Sequence, residues 1–122
     1  MTRITVEIPL ATVSEANSTE HWQVKAKRHR TQKATVAYFL ATIIHEVALP
    51  VRVTLTRISQ RKLDDDNLRF ALKYIRDAVA DQLHPGLAPG RADDKVDIEW
   101  CYAQAKGPKG VKIEIEEVAN VR

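Results

Sequence analysis

One cysteine, Cys101, is all the sulfhydryl chemistry the chain has, so no disulfide can close within it. That fits a reducing compartment. No apolar run approaches the ~18 residues that a membrane span needs. The most apolar stretch, Ala34 to Leu49, is interrupted by Thr35, Thr42, His45 and Glu46. The first residues show no basic-plus-apolar signal pattern. Internal repeats and low-complexity tracts are missing too, which excludes solenoid and fibrous classes. The expectation is a soluble cytoplasmic protein, with residues 1–122 forming a single domain.

Charge of one sign is also scarce. The 19 Lys and Arg against 16 Asp and Glu leave a formal net charge of +3, too little to name a partner. The distribution says more. A basic block runs from Lys25 to Lys33, acidic clusters stand at Asp64–Asp66 and Asp93–Asp94, and the last strand carries Glu114, Glu116 and Glu117. Enzymes acting on nucleic acids need both signs, cations for phosphates and carboxylates for metal.

Hydrophobic periodicity supplies the elements. Ile4, Val6 and Ile8 alternate with polar residues, predicting a half-buried strand that ends at Pro9. Ser18 or Thr19 is placed to cap a long helix from about Glu20 to Val47, whose second half has an apolar face of Val36, Leu40, Ile43 and Val47. Pro50 stops it. Val51, Val53 and Leu55 alternate into a second strand, and a second helix opens at the Asp cluster with Leu68, Leu72, Ile75, Val79 and Leu83 at helical spacing. His84 to Ala92 holds two Pro-Gly steps and reads as a loop. Val96, Ile98, Trp100 and Tyr102 alternate into a third strand, with Trp100 and Tyr102 inward and Cys101 outward. Val111, Ile113 and Ile115 form a fourth, joined to the third as a hairpin. The expected fold is α+β, order β-α-β-α-β-β, with a mixed four-stranded sheet and two helices packed on one side. Trp22, near the first helix start, is expected to staple into the core.

An Asp at a helix start needs no special explanation, because it caps the helix and gains ~0.3–1 kcal/mol from the helix dipole. Three consecutive Asp do need one, since neighbouring carboxylates repel. The loop to Asp93 and Asp94 is long enough to return that pair beside the triplet. Carboxylates so gathered either raise one another's pKa or bind a cation. Oxygen ligands without His or Cys suit Mg²⁺ or Mn²⁺ rather than zinc. An EF-hand fails, because Arg69 and Ile75 occupy the positions of its Gly and Glu. Two carboxylate-held ions suit in-line displacement at a phosphodiester. Lys73, seven residues after Asp66, shares that helix face and can stabilise the transition state. It is also spaced for an i,i+4 ion pair with Asp77.

The run Lys62-Leu63-Asp64-Asp65-Asp66-Asn67-Leu68, continuing to Lys73 and Asp77, resembles the D-x-D-N-L…K…D signature of the RusA family of Holliday-junction resolvases. Asp93-Asp94-Lys95-Val96 resembles that family's second acidic motif, and His21-Trp22 with the basic helix resembles the region before the first. The resemblance spans roughly Glu20 to Ile115. It implies a homodimeric, Mg²⁺-dependent endodeoxyribonuclease, often prophage-encoded, that resolves four-way DNA junctions by paired nicks and uses no small-molecule cofactor. Carried over by position, Asp64 and Asp66 are the first two metal carboxylates and Asp94 the third, with Asp93 beside it. Asn67 matches the motif Asn and steadies the helix start. The family's usual catalytic Lys, four residues after the second motif Asp, is replaced here by Phe70. Lys73 substitutes if one helical turn has been inserted, with Arg69 the weaker option. The alternative is a junction-binding protein of the same fold with weak or lost catalysis. A third reading is a small interaction protein whose Asp clusters are only caps.

Lys25, Lys27, Arg28, Arg30 and Lys33 fall within nine residues without an acid. A solvated helix face is the plain reading. The functional one is phosphate contacts that position DNA without reading its sequence, to which Arg69 would add.

Overall fold

The computed structural model describes residues 2–13, 21–86 and 97–119. Strand β1 (Arg3–Ile8) leads through helix α1 (Trp22–Leu40) and a short 3₁₀ turn (Ile44–Glu46) to β2 (Val51–Ser59). Helix α2 (Asp65–Leu83), β3 (Ile98–Lys106) and β4 (Gly110–Glu117) follow. The four strands form one mixed sheet in the order β1-β4-β2-β3. β2 and β3 are parallel, and β4 is antiparallel to both β1 and β2. The expected α+β fold is what the chain adopts.

Alternation explains the layers. Val51, Val53 and Leu55 of β2 and Val111, Ile113 and Ile115 of β4 are fully buried, with Ile4 and Ile8 of β1 beside them. Onto this face α2 sets Leu68, Leu72, Ile75 and Val79, and α1 sets Val36 and Leu40. The opposite face is polar. There Arg52 bonds Glu99 at 2.6 Å and Glu116 at 3.2 Å, and Arg3 pairs with Glu114. Cys101 lies half-buried on that face, where burial pushes its thiol pKa up.

Three expectations change. First, β3 and β4 are not a hairpin, because β2 lies between them. Residues 107–109 cross the end of β2 instead, with the Gly107 amide donating to Ser59 O at 3.3 Å and the Gln60 side chain donating to Gly107 O at 3.0 Å. Two strand spacings are only ~10 Å, within reach of a five-residue span. Burial explains the choice, since the fully buried Val111, Ile113 and Ile115 belong in a central strand and the half-exposed β3 at an edge.

Second, α1 ends at Leu40 rather than Val47, and Ile43 and Val47 lie half-buried around the 3₁₀ turn. The β-branched run Thr42-Ile43-Ile44 disfavours continuing a helix. Its N-cap is His21, whose Nδ1 accepts from the Gln23 amide at 3.1 Å, while Ser18 and Thr19 lie outside the described residues. Third, Trp22 is no core staple: it is 67% exposed. The first turns of α1 extend past the core that Val36 and Leu40 reach.

Glu117 ties three segments together, accepting from the Thr2 amide at 2.9 Å and the Ala48 amide at 2.7 Å. These two bonds hold its carboxyl below the ordinary glutamate range. A depressed folded-state pKa stabilises the fold at neutral pH and loses that contribution as pH falls through the acid range. Glu117→Gln should therefore lower the Tm at pH 7 by a few degrees, and the gap should close near pH 3. Thermal melts at both pH values check this, and an equal gap at both would rule the clasp out.

Candidate nucleic-acid and metal site

The topology decides where the acidic triplet stands. β1, β2 and β3 run the same way, and both helices begin at the end of the sheet where those strands finish. Ligands in sheets of this kind gather at that end. Asp64 caps α2, its Oδ1 accepting from the Asn67 amide at 2.8 Å and from Asn67 Nδ2 at 2.9 Å. Asn67 is thus tied twice to the cap residue at the helix start. Asp65 and Asp66 are exposed in the first turn. Arg57, on the same end of β2, donates to Thr12 Oγ1 at 3.0 Å and to Arg61 O at 2.7 Å, holding the loop that leads into the triplet.

From Asp66 a cleft of about 370 Å³ runs along α2, lined by Arg69, Phe70, Lys73, Arg76 and Tyr102. The helical residues recur every three or four positions, so they share one face, and β3 supplies the facing wall. Arg76 Nη1 donates to the Tyr102 hydroxyl at 2.7 Å, and its guanidinium lies 4.7 Å from the centre of the Trp100 ring. The Arg69 guanidinium lies 5.7 Å from the Tyr102 ring centre. Cations stacked on ring faces are held in place while their charge still faces the cleft. Lys73 Nζ is 3.5 Å from Asp77 Oδ2, so the ion pair forms, and its half-exposed side chain also faces the cleft. The ion pair with Asp77 and the place beside Asp66 on the cleft face are compatible.

No family model matches the chain, and no curated protein matches its sequence.

Of the sequence-derived site, Asp66, Arg69 and Lys73 meet in one cleft, and Asp64 lies just before it at the cap. Asp93 and Asp94 lie outside the described residues. Asp97, three residues after Asp94, is bonded to His84 at 2.9 Å at the far end of α2. That helix is 19 residues long, about 28 Å. Oxygen donors at a helix start fit a hard divalent ion. Among the described residues, however, no three acidic, His or Cys side chains converge on one point. The described chain thus offers Asp64 and Asp66 as part of a ligand set.

The basic helix is adjacent to the cleft. His29 stacks on Tyr74 with ring centres 3.5 Å apart, and Lys73 Nζ lies 5.1 Å from the centre of the same Tyr74 ring. Lys27 and Arg30 are exposed, while Lys25, Arg28 and Lys33 are half-buried. Among the described residues no helix is long and apolar enough to cross a membrane.

Sequence reasoning missed Arg76 and the role of Tyr102. Arg76 follows Lys73 by three residues on a face already marked by Asp66 and Arg69, so its spacing was a usable signal. Tyr102 and Trp100 were read as core, and both do pack against it half-buried. Tyr102, on an edge strand, keeps part of its ring open to the cleft.

Proposed function

We propose that this chain is a divalent-metal-dependent endodeoxyribonuclease acting on branched DNA, working as a homodimer on four-way junctions. The observation that carries the reading is the cleft in which Asp66 meets Arg69, Lys73 and Arg76 beside Phe70 and Tyr102. Three cations and one exposed carboxylate suit a phosphodiester approaching a metal, and two aromatic rings offer stacking surface for an unpaired base. Asp64 and Asp66 would hold Mg²⁺ or Mn²⁺. The ion would supply an activated water and neutralise charge on the phosphate. Arg69 and Lys73 hold and stabilise that phosphate, and the α1 cations bind the flanking backbone. A two-fold dimer suits a junction that offers two symmetry-related strands.

Phe70 favours a second reading, junction binding with weak catalysis, because it stands where the resemblance places a Lys. Binding itself distinguishes both from a protein whose Asp cluster is only a cap. Affinity for a four-way junction should exceed that for linear duplex and fall steeply with salt. Removing one phosphate contact, by Lys27→Ala, should flatten the slope of log K against log salt by about 0.9. Salt-independent or absent binding in a gel-shift series would sink both readings.

A further inference from the structure

Two residues beyond Tyr102 on β3, Gln104 clamps the chain that enters α2. Its Oε1 accepts from the Leu63 amide at 2.8 Å, and its Nε2 donates to Leu63 O at 2.7 Å. Two residues further, Lys106 joins Gln60, Arg61 and Lys62 in lining a groove of about 240 Å³. Tyr102 and Lys106 are about 13 Å apart along the strand, so this groove follows the Asp66 cleft along one sheet edge. The connection between β2 and α2 is pinned from two more sides. Arg57 Nη1 donates to Arg61 O at 2.7 Å, and Gln60 Nε2 donates to Gly107 O at 3.0 Å. Arg61 and Lys62 therefore stand on backbone that is already fixed. Both are exposed, as is Lys106, and among the described residues no carboxylate lies within ion-pair distance of any of the three. Elsewhere Arg3, Arg52, Lys73 and Lys112 each pair with an Asp or Glu. Buried Arg57 adds a fourth positive charge, and its bonds run to neutral oxygens, Thr12 Oγ1 and Arg61 O. A groove lined by one sign of charge concentrates the opposite ion.

We infer that this groove binds backbone phosphates of the nucleic-acid strand that continues from the Asp66 cleft. The inference rests on reading that cleft as a nucleic-acid site, but not on cleavage. Along the shared edge, Phe70 and Tyr102 offer rings to bases at one end, and Arg61, Lys62 and Lys106 offer cations at the other. No aromatic ring lines the groove itself, so it holds backbone without reading sequence. Its volume is below the ~300–1,000 Å³ usual for an enclosed small ligand, which suits a phosphate on a passing chain. An acidic peptide would meet the same cations but brings no bases to the rings. Because the connection is already ordered, binding has little backbone freedom left to remove.

The test is fluorescence anisotropy of a labelled four-way junction over a salt series, with EDTA present to prevent cleavage. The double variant Lys62→Ala, Lys106→Ala removes two exposed, unpaired cations, so its Tm should match wild type. Its affinity at fixed salt should fall at least tenfold, and the slope of log K against log salt should flatten by about 1.8, the value for two lost phosphate contacts. Wild-type affinity and slope in the variant would overturn this inference and leave the reading of the Asp66 cleft standing. A wild-type chain that binds no DNA at any salt would overturn both. Polyglutamate that displaces the junction as readily as an oligothymidylate of equal charge would overturn the assignment to nucleic acid.

Discussion

Asp66→Asn should reduce metal-dependent junction cleavage at least about 100-fold while leaving the Tm and junction binding close to wild type. Loss of groups that merely orient metal ligands already costs ~10–100-fold, and Asp66 is proposed to be a ligand itself. Its stability role is small, because Asp64 keeps the cap through its two bonds from Asn67. The Asp66 charge gains ~0.3–1 kcal/mol from the helix dipole but is offset by repulsion from two neighbouring carboxylates. Asn keeps the side-chain size and loses only the charge. Rate measurements on a labelled junction, with melting curves for both proteins, separate the roles. A variant that cleaves normally would remove Asp66 from the site.

Lys73→Gln carries the second large effect, a loss of about 10²–10³ in cleavage rate with binding changed far less. That is the size of removing one donor that meets charge developing in the transition state. The stability cost is small by comparison. Lys73 is half exposed, and an i,i+4 pair with Asp77 contributes only ~0.3–0.5 kcal/mol. Phe70→Lys provides the complementary test, since it lines the same cleft one turn nearer Asp66. In the Lys73→Gln background, Phe70→Lys should restore much of the lost rate. Wild-type cleavage by Lys73→Gln would assign that lysine to the ion pair alone.

Much of the fold was legible because its signals are local. Leu68, Leu72, Ile75 and Val79 mark the buried face of α2 by spacing alone, and Asp64 marks its start by capping chemistry. Alternation in β3 and β4 states which face each residue takes but says nothing about which strand lies alongside. The hairpin expectation failed there, because the turn at residues 107–109 spans two strand spacings as readily as one. Trp22 misled for a related reason, since an aromatic near a helix start looks the same whether the helix lies on the core or runs past it. In the site, the α2 face was readable from Asp66 to Lys73. Arg76 obeyed the same spacing but stood beyond the motif, and Tyr102 joins the cleft only through the pairing of β3 with β2, a contact across 26 residues of sequence between Arg76 and Tyr102.

The most direct measurement is cleavage of a labelled, mobile four-way junction with and without Mg²⁺, beside a linear duplex of the same sequence. Symmetric nicks in the junction alone, present only with the metal, are the result expected here. A junction that stays intact with Mg²⁺ and with Mn²⁺, at protein concentrations that saturate it, would contradict the nuclease reading.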